Sequence, residues 1–279
     1  MNKGIHRFSV GDIRCTVLHE ADSDKPVTTL TELYVNASLD DIQAALTEIG
    51  HSSDEINSSM NILLIETDGR RILVDTGIGV PGRSFLLENL NAAGLSPEEI
   101  DLVVLTHYHP DHIEGLFDEN GLVFPNATYS TNRVEWDHWF SDAARARMNP
   151  DTQASFDRMH LLCDRINWVK AGDRIAPGVE VIEAPGHTPG QIGLVISSQG
   201  ARMWHLIDVL HREPQLARPN WHIRFDSDPE QAVETRRDLL MKATDEGVLT
   251  FFYHLPFPGL GTVSRSGNAF RWHPINLAD

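Results

Sequence analysis

The sequence predicts an α/β chain in which two β-sheets pack face to face with helices outside. Three observations lead there: apolar runs of strand length recur along the 279 residues, helical patterns fall between only some of them, and two more polar stretches interrupt the series. Periodicity alone fits other layered α/β folds equally well.

An opening strand is expected at residues 14–19. Residues 38–49 read as a helix, because Ser38 can cap, Leu39, Ile42, Ala45, Leu46 and Ile49 recur at helical spacing, and Gly50 follows. This helix lies in a polar N-terminal insertion at about 20–58. The apolar runs 60–66 and 70–75 flank Asp68-Gly69, a pair that suits a two-residue hairpin turn. A helix is expected at 83–93, stopped by Gly94, and Ser96-Pro97-Glu98-Glu99 has the cap, first-turn proline and acidic residues of another helix start. A buried strand follows at 102–105. Residues 132–167, with Trp136, Trp139, Phe140 and Phe156, read as two helices separated by Asn149-Pro150 and make a second insertion. Strands return at 180–183, 192–198, 203–208 and 248–253, with a capped helix over 228–245. No repeat or linker divides the chain, so residues 1–279 are read as one domain.

The composition, 41% hydrophobic and 23% charged without a long apolar run, is that of a soluble globular protein and gives no reason to expect a membrane partner. The first eight residues lack the apolar stretch of a secretory leader, so a cytoplasmic location is expected. Cys15 and Cys163 are far apart in sequence and read as buried small hydrophobes rather than as a disulfide. A net charge of −17, from 40 acidic against 23 basic residues, repels polyanions and argues against a nucleic-acid partner. A cationic centre would therefore have to be bound, and fourteen histidines make metal the natural candidate. The apolar positions of the N-terminal insertion leave a homodimer open.

After the strand ending near Leu105, the chain presents His107, His109, Asp111 and His112 within six residues. In an extended loop, residues two apart point the same way, so His107 and His109 can aim at one point. A turn into helix after Pro110 would displace Asp111 and His112 toward a second. Three further candidates follow apolar runs: His187 in Pro185-Gly186-His187-Thr188-Pro189-Gly190, Asp208, and His254. The remaining histidines, His211 among them, are read as ordinary surface or core residues.

The ordered pattern His-x-His-x-Asp-His, then Gly-His-Thr-Pro-Gly, an aspartate and a final histidine resembles the metallo-β-lactamase superfamily from about Met60 onward. The resemblance implies an αββα sandwich of two mixed sheets with outer helices. It further implies that His107, His109 and His187 bind one metal, that Asp111, His112 and His254 bind a second, and that Asp208 bridges both. Asp75, in Val74-Asp75-Thr76-Gly77, matches the family's acidic residue that braces the metal loop, while Glu114 departs from the glycine common there. Asp226-Ser227-Asp228-Pro229 and the segment from His254 to Gly261 resemble the methyl parathion hydrolase and lactonase branch.

The implied chemistry is a dinuclear metal-dependent hydrolase whose bridging hydroxide attacks a lactone or carboxylic ester, with organophosphate triesters as a further small-molecule class. Ligands without thiolate suit two divalent ions, zinc first, with iron or manganese also compatible. Asp111 and Asp208 are the expected catalytic carboxylates, Asp111 orienting the nucleophile or carrying its proton to the leaving alkoxide. Trp136, Trp139, Trp221, Phe225 and Phe257 are candidates for an apolar substrate wall. The competing readings are a glyoxalase II-like thioesterase, disfavoured by the lack of a basic cluster, a mononuclear iron persulfide dioxygenase, and a binding protein merely stabilised by metal.

Overall fold

The computed structural model describes residues 4–23, 25–52 and 55–276. Its apolar runs assemble into two seven-stranded sheets, each with strands side by side in chain order. The first sheet contains β1 (Ile5–Val10), β2 (Ile13–Asp22), β3 (Ser59–Thr67), β4 (Arg70–Val74), β5 (Leu102–Val104), β6 (Thr128–Asn132) and β7 (Ile166–Val169). The second contains β8 (Arg174–Ala176), β9 (Val179–Glu183), β10 (Ile192–Ser198), β11 (Ala201–His205), β12 (Leu249–Phe251), β13 (Leu260–Ser266) and β14 (Ala269–Pro274). Both are mixed: β4 to β7 pair in parallel, as do β11 and β12, and the other neighbours are antiparallel.

The hairpin expected at Asp68-Gly69 closes with Thr67 opposite Arg70, and both turn residues have positive φ (50° and 73°) as a tight primed turn requires. Alternation then sorts the strands' side chains between two cores. Val17, Leu63, Ile72 and Val104 face Val181, Leu194, Met203 and Phe251 of the other sheet, while their neighbours Leu18, Leu64, Leu73 and Val103 face outward onto Leu86, Leu90, Phe156 and Met159. On the far side, Val195, Trp204 and Phe252 pack against Leu239, Leu240 and Ala243 of helix Pro229–Glu246. The result is the αββα sandwich.

The N-terminal helix forms as Leu39–Glu48, with Ser38 Oγ accepting from Asp41 N and Asp41 Oδ2 accepting from Ser38 N. Its apolar side is covered within the chain, where Ile42, Ala45 and Leu46 meet Tyr34, Trp221 and Ile223. The second insertion contains three short helices, Arg133–Trp139, Asp142–Arg145 and Pro150–Arg158, followed by the 3-10 helix Met159–Arg165, rather than two helices.

Other expectations also change. Residues 97–99 close into a single 3-10 turn, since Ile100 is already extended toward β5. Strands β1, β6, β7, β8, β13 and β14 are additional to those expected. Thr128-Tyr129-Ser130-Thr131-Asn132 shows why: it is polar in sequence, yet four of its five residues are buried between β5 and β7. Cys15 is buried and its thiol is pushed up to about 12, first by burial and then by Glu66, whereas Cys163 is exposed. No helix among the described residues is long and apolar enough to cross a membrane.

Candidate metal centre

Each candidate ligand follows the end of a strand. Thr106, just beyond β5, donates from N and Oγ1 to the two oxygens of Asp75, 2.8 and 2.7 Å away. The backbone stays extended at His109 and turns helical over Pro110–Ile113, with proline at the first position where its missing N–H costs nothing. That turn carries Asp111 and His112 away from His107 and His109. His187 stands on the loop after β9, Asp208 in a 3-10 turn after β11, and His254 beyond β12.

Four of the imidazoles converge on one oxygen, and the other two candidates stand beside them. Asp208 Oδ2 lies 3.8 Å from His107 Nε2, 3.5 Å from His187 Nε2, 3.3 Å from His112 Nε2 and 3.1 Å from His254 Nε2. His109 Nδ1 is 2.8 Å from His187 Nε2, and Asp111 Oδ2 is 3.4 Å from His254 Nε2 and 3.8 Å from His112 Nε2. Donor atoms of His107, His109 and His187 fall within 4.8 Å of one another, and so do those of Asp111, His112 and His254. His107 Nε2, His112 Nε2 and Asp208 Oδ1 are buried without a hydrogen-bond partner. Buried polar atoms left in that condition are costly unless something binds them. Nitrogen and carboxylate donors of this kind suit divalent cations, so the residues fit a two-metal site.

The electrostatics suit the same purpose. Burial holds the imidazoles of His107 and His109 well below their ordinary range, in the neutral form that can donate a lone pair. Burial opposes charge on Asp208, but the rings of His254, His112 and His211 outweigh it and hold its carboxyl well below the usual range. Burial likewise opposes protonation of His112, yet Asp208, Asp111 and Asp75 together raise it.

Two carboxylates aim the rings. His112 Nδ1 donates to Asp75 Oδ2 and His187 Nδ1 donates to Asp226 Oδ1, each at 2.8 Å, which leaves both Nε2 atoms facing Asp208. Asp75 has φ of +66°, an uncommon backbone state for a residue with a Cβ, and its carboxylate is wholly buried. Tyr253 OH donates to Asp111 O at 2.6 Å. Asp75 is legible from its motif, whereas Asp226 has no role, and His211 no distinction from other histidines, on sequence grounds. In the structure His211 is an eighth side chain and a sixth imidazole at the centre, with Nε2 3.1 Å from Asp208 Oδ2 and its ring stacked on His254 at 5.1 Å. Its place three residues after Asp208 was the one available signal.

The solved structure of AidC, described as a dizinc quorum-quenching lactonase in complex with a product, is similar to this chain with a TM-score of 0.90 and 27% identity, covering 99% of each chain. A family model described as the metallo-beta-lactamase superfamily matches residues 58–118, the stretch that holds Asp75 and the four candidate ligands of the histidine loop. The chain is similar to the metallo-β-lactamase superfamily in its metal-loop segment and in its whole fold. A second solved structure, described as the hydrolase AbOPH in the beta lactamase superfamily, is similar with a TM-score of 0.87 and 27% identity over the whole of both chains. Among curated proteins, a probable metallo-hydrolase of Methanocaldococcus jannaschii is 30% identical over 124 residues, 44% of this chain and 45% of that protein. The chain thus spans about half the length of the first curated relatives it matches, 45% and 58%.

A cavity of about 550 Å³ opens over the candidate ligands. Met60, Leu33, Ile78, Val80 and Phe225 give it apolar walls, and Arg83 and Glu114 stand among its lining residues. Of the five aromatic residues expected there, Phe225 lines the cavity and is half exposed. Trp139 lies behind it, edge-on to the His109 ring at 5.5 Å. Trp136 is stacked on Phe140 in the helical insertion, Trp221 packs on Tyr34, and Phe257 borders a separate cleft with His19 and Phe85. An aromatic residue in a loop or insertion has several apolar places to go, and composition does not reveal which one wins.

Proposed function

We propose that this chain is a two-metal hydrolase that opens a lactone bearing an apolar acyl group. The observation that carries the reading is the convergence of His107, His112, His187 and His254 around Asp208 Oδ2, with His109 and Asp111 beside them, beneath a mostly apolar cavity. The likeness to AidC along nearly the full chain supports the lactone as substrate class. His107, His109 and His187 would hold one ion and Asp111, His112 and His254 the other, with Asp208 shared; zinc is the first choice. Divalent ions bound there supply hydroxide near neutral pH and polarise the carbonyl under attack.

The chain's own residues do the rest. Asp208 stays anionic at the centre while the neutral rings of His107 and His109 keep their lone pairs free. Met60, Ile78, Val80 and Phe225 hold the acyl group and exclude water from the carbonyl's far side. The Asp111 carboxylate, partly exposed at the cavity floor, accepts the nucleophile's proton and returns it to the alkoxide released by ring opening. Aryl esters and phosphotriesters need the same attack and are the neighbouring substrate classes.

A hydrolysis panel on protein of known metal content tests this. Acyl-homoserine lactones should be cleaved with kcat/KM at least ~10-fold above aryl esters, phosphotriesters, β-lactams and glutathione thioesters. Turnover confined to glutathione thioesters, or thiol-dependent oxygen consumption with a single iron, would overturn the assignment.

A further inference from the structure

Glu135 is wholly buried on helix Arg133–Trp139, within the second insertion and outside every metal-ligand motif. Its Oε1 accepts from Tyr108 N at 3.0 Å and from Trp139 Nε1 at 2.7 Å, and its Oε2 accepts from Gly190 N at 3.0 Å. Tyr108 lies between His107 and His109, and Gly190 lies three residues after His187. One carboxylate therefore holds the two loops that carry one half of the centre. The loops also share the backbone bond from Ile192 N to Thr106 O, but that bond joins their bases, whereas Glu135 joins them beside the ligands. The approach is close: a Cβ on Gly190 would stand 2.2 Å from Glu135 N. The indole held by Glu135 in turn lies edge-on to the His109 ring.

A first-turn glutamate often serves only its own helix by facing the positive end of the dipole. An exposed side chain does that as well. Burying a carboxylate is costly unless its acceptors are used, and here two of the three donors come from the ligand loops. We infer that Glu135 is a positioning residue that sets the spacing of His107 and His109 against His187, and so the affinity of that half of the centre for its ion. The other half, Asp111, His112 and His254, is braced by Asp75 and Tyr253.

This inference rests on the two-metal reading, and the experiment separates the two. Wild type, Glu135→Gln and Trp139→Phe are loaded with Zn2+ and titrated with a competing chelator, and Co2+-loaded samples are followed by visible absorption. Wild type should bind two equivalents. Glu135→Gln should keep one of them unchanged and bind the other ~10–100-fold more weakly, with half of the Co2+ spectrum altered. Trp139→Phe, which removes one of the three donors and leaves the carboxylate, should weaken the same equivalent ~3-fold; it decides the matter if Glu135→Gln does not fold. Fewer than two equivalents in wild type would sink the two-metal reading and this inference with it. Two equivalents in wild type, with both weakened equally or neither weakened in the variants, would overturn the role of Glu135 alone.

Discussion

His187 Nδ1 donates to Asp226 Oδ1 across 2.8 Å, and Asp226 Oδ2 accepts from Ile223 N at 3.0 Å. The second bond fixes the carboxylate, and the first then fixes the ring's tautomer and the direction of Nε2. Burial disfavours the charge, but the bond from His187 outweighs it and holds the Asp226 carboxyl below its usual range. Asp75 does the same for His112, so each half of the centre has a buried carboxylate behind one of its rings.

Asp226→Asn keeps the shape while weakening the acceptor that orients His187. The expected outcome is a ~10–100-fold loss of affinity for one ion, measured by chelator competition, with the far-ultraviolet circular dichroism unchanged. Full retention of both ions would show that the backbone alone orients His187.

Phe225 is half exposed at the cavity wall, with the Arg224 guanidinium 4.7 Å above its ring and His109 edge-on at 6.4 Å. Truncation to alanine removes apolar contact with a substrate chain and leaves every candidate ligand in place. For lactones with long acyl chains kcat/KM should fall about 5- to 20-fold, equivalent to roughly 1–2 kcal/mol of lost burial. Short-chain lactones should change by less than about 2-fold, and equal losses for both would place the acyl group elsewhere.

His51 Nε2 donates to Glu213 Oε2 at 2.8 Å and ties the N-terminal insertion to the segment after Asp208. That hydrogen bond, followed in size by the opposing effect of burial and the favourable charge of Glu213, raises the His51 pKa above its ordinary 6.5. A raised folded pKa stabilises the fold below the unfolded value and loses that contribution as pH rises through the folded one. Urea unfolding of wild type and His51→Gln should differ by about 1 kcal/mol or less near pH 5.5, and by less still near pH 8.5. A difference that grows with pH would contradict the assignment.

The legibility of this chain in its sequence depended on how local each feature is. The histidine loop and Asp75 could be read because their spacing is fixed by a strand end, an extended loop and a proline-started turn. The hairpin at Asp68-Gly69 was equally local. Asp226 and Glu135 were not legible as braces, since each reaches its partner across the fold and neither has an unusual neighbour in sequence. Strand β6 escaped because its polar side chains are buried by strands on both sides. The aromatic wall is hard to read for a related reason: Trp136 stacks within the helical insertion and Trp221 packs on Tyr34 of the N-terminal insertion before any substrate arrives.

In the proposed mechanism, lactone opening depends on two ions held around Asp208. The most direct measurement is a stepwise return of Zn2+ to chelator-stripped protein while ring opening of N-hexanoyl-homoserine lactone is followed. Activity should be at background without metal and should reach its plateau only at two equivalents. A plateau at one equivalent, or no ring opening with both equivalents bound, would contradict it.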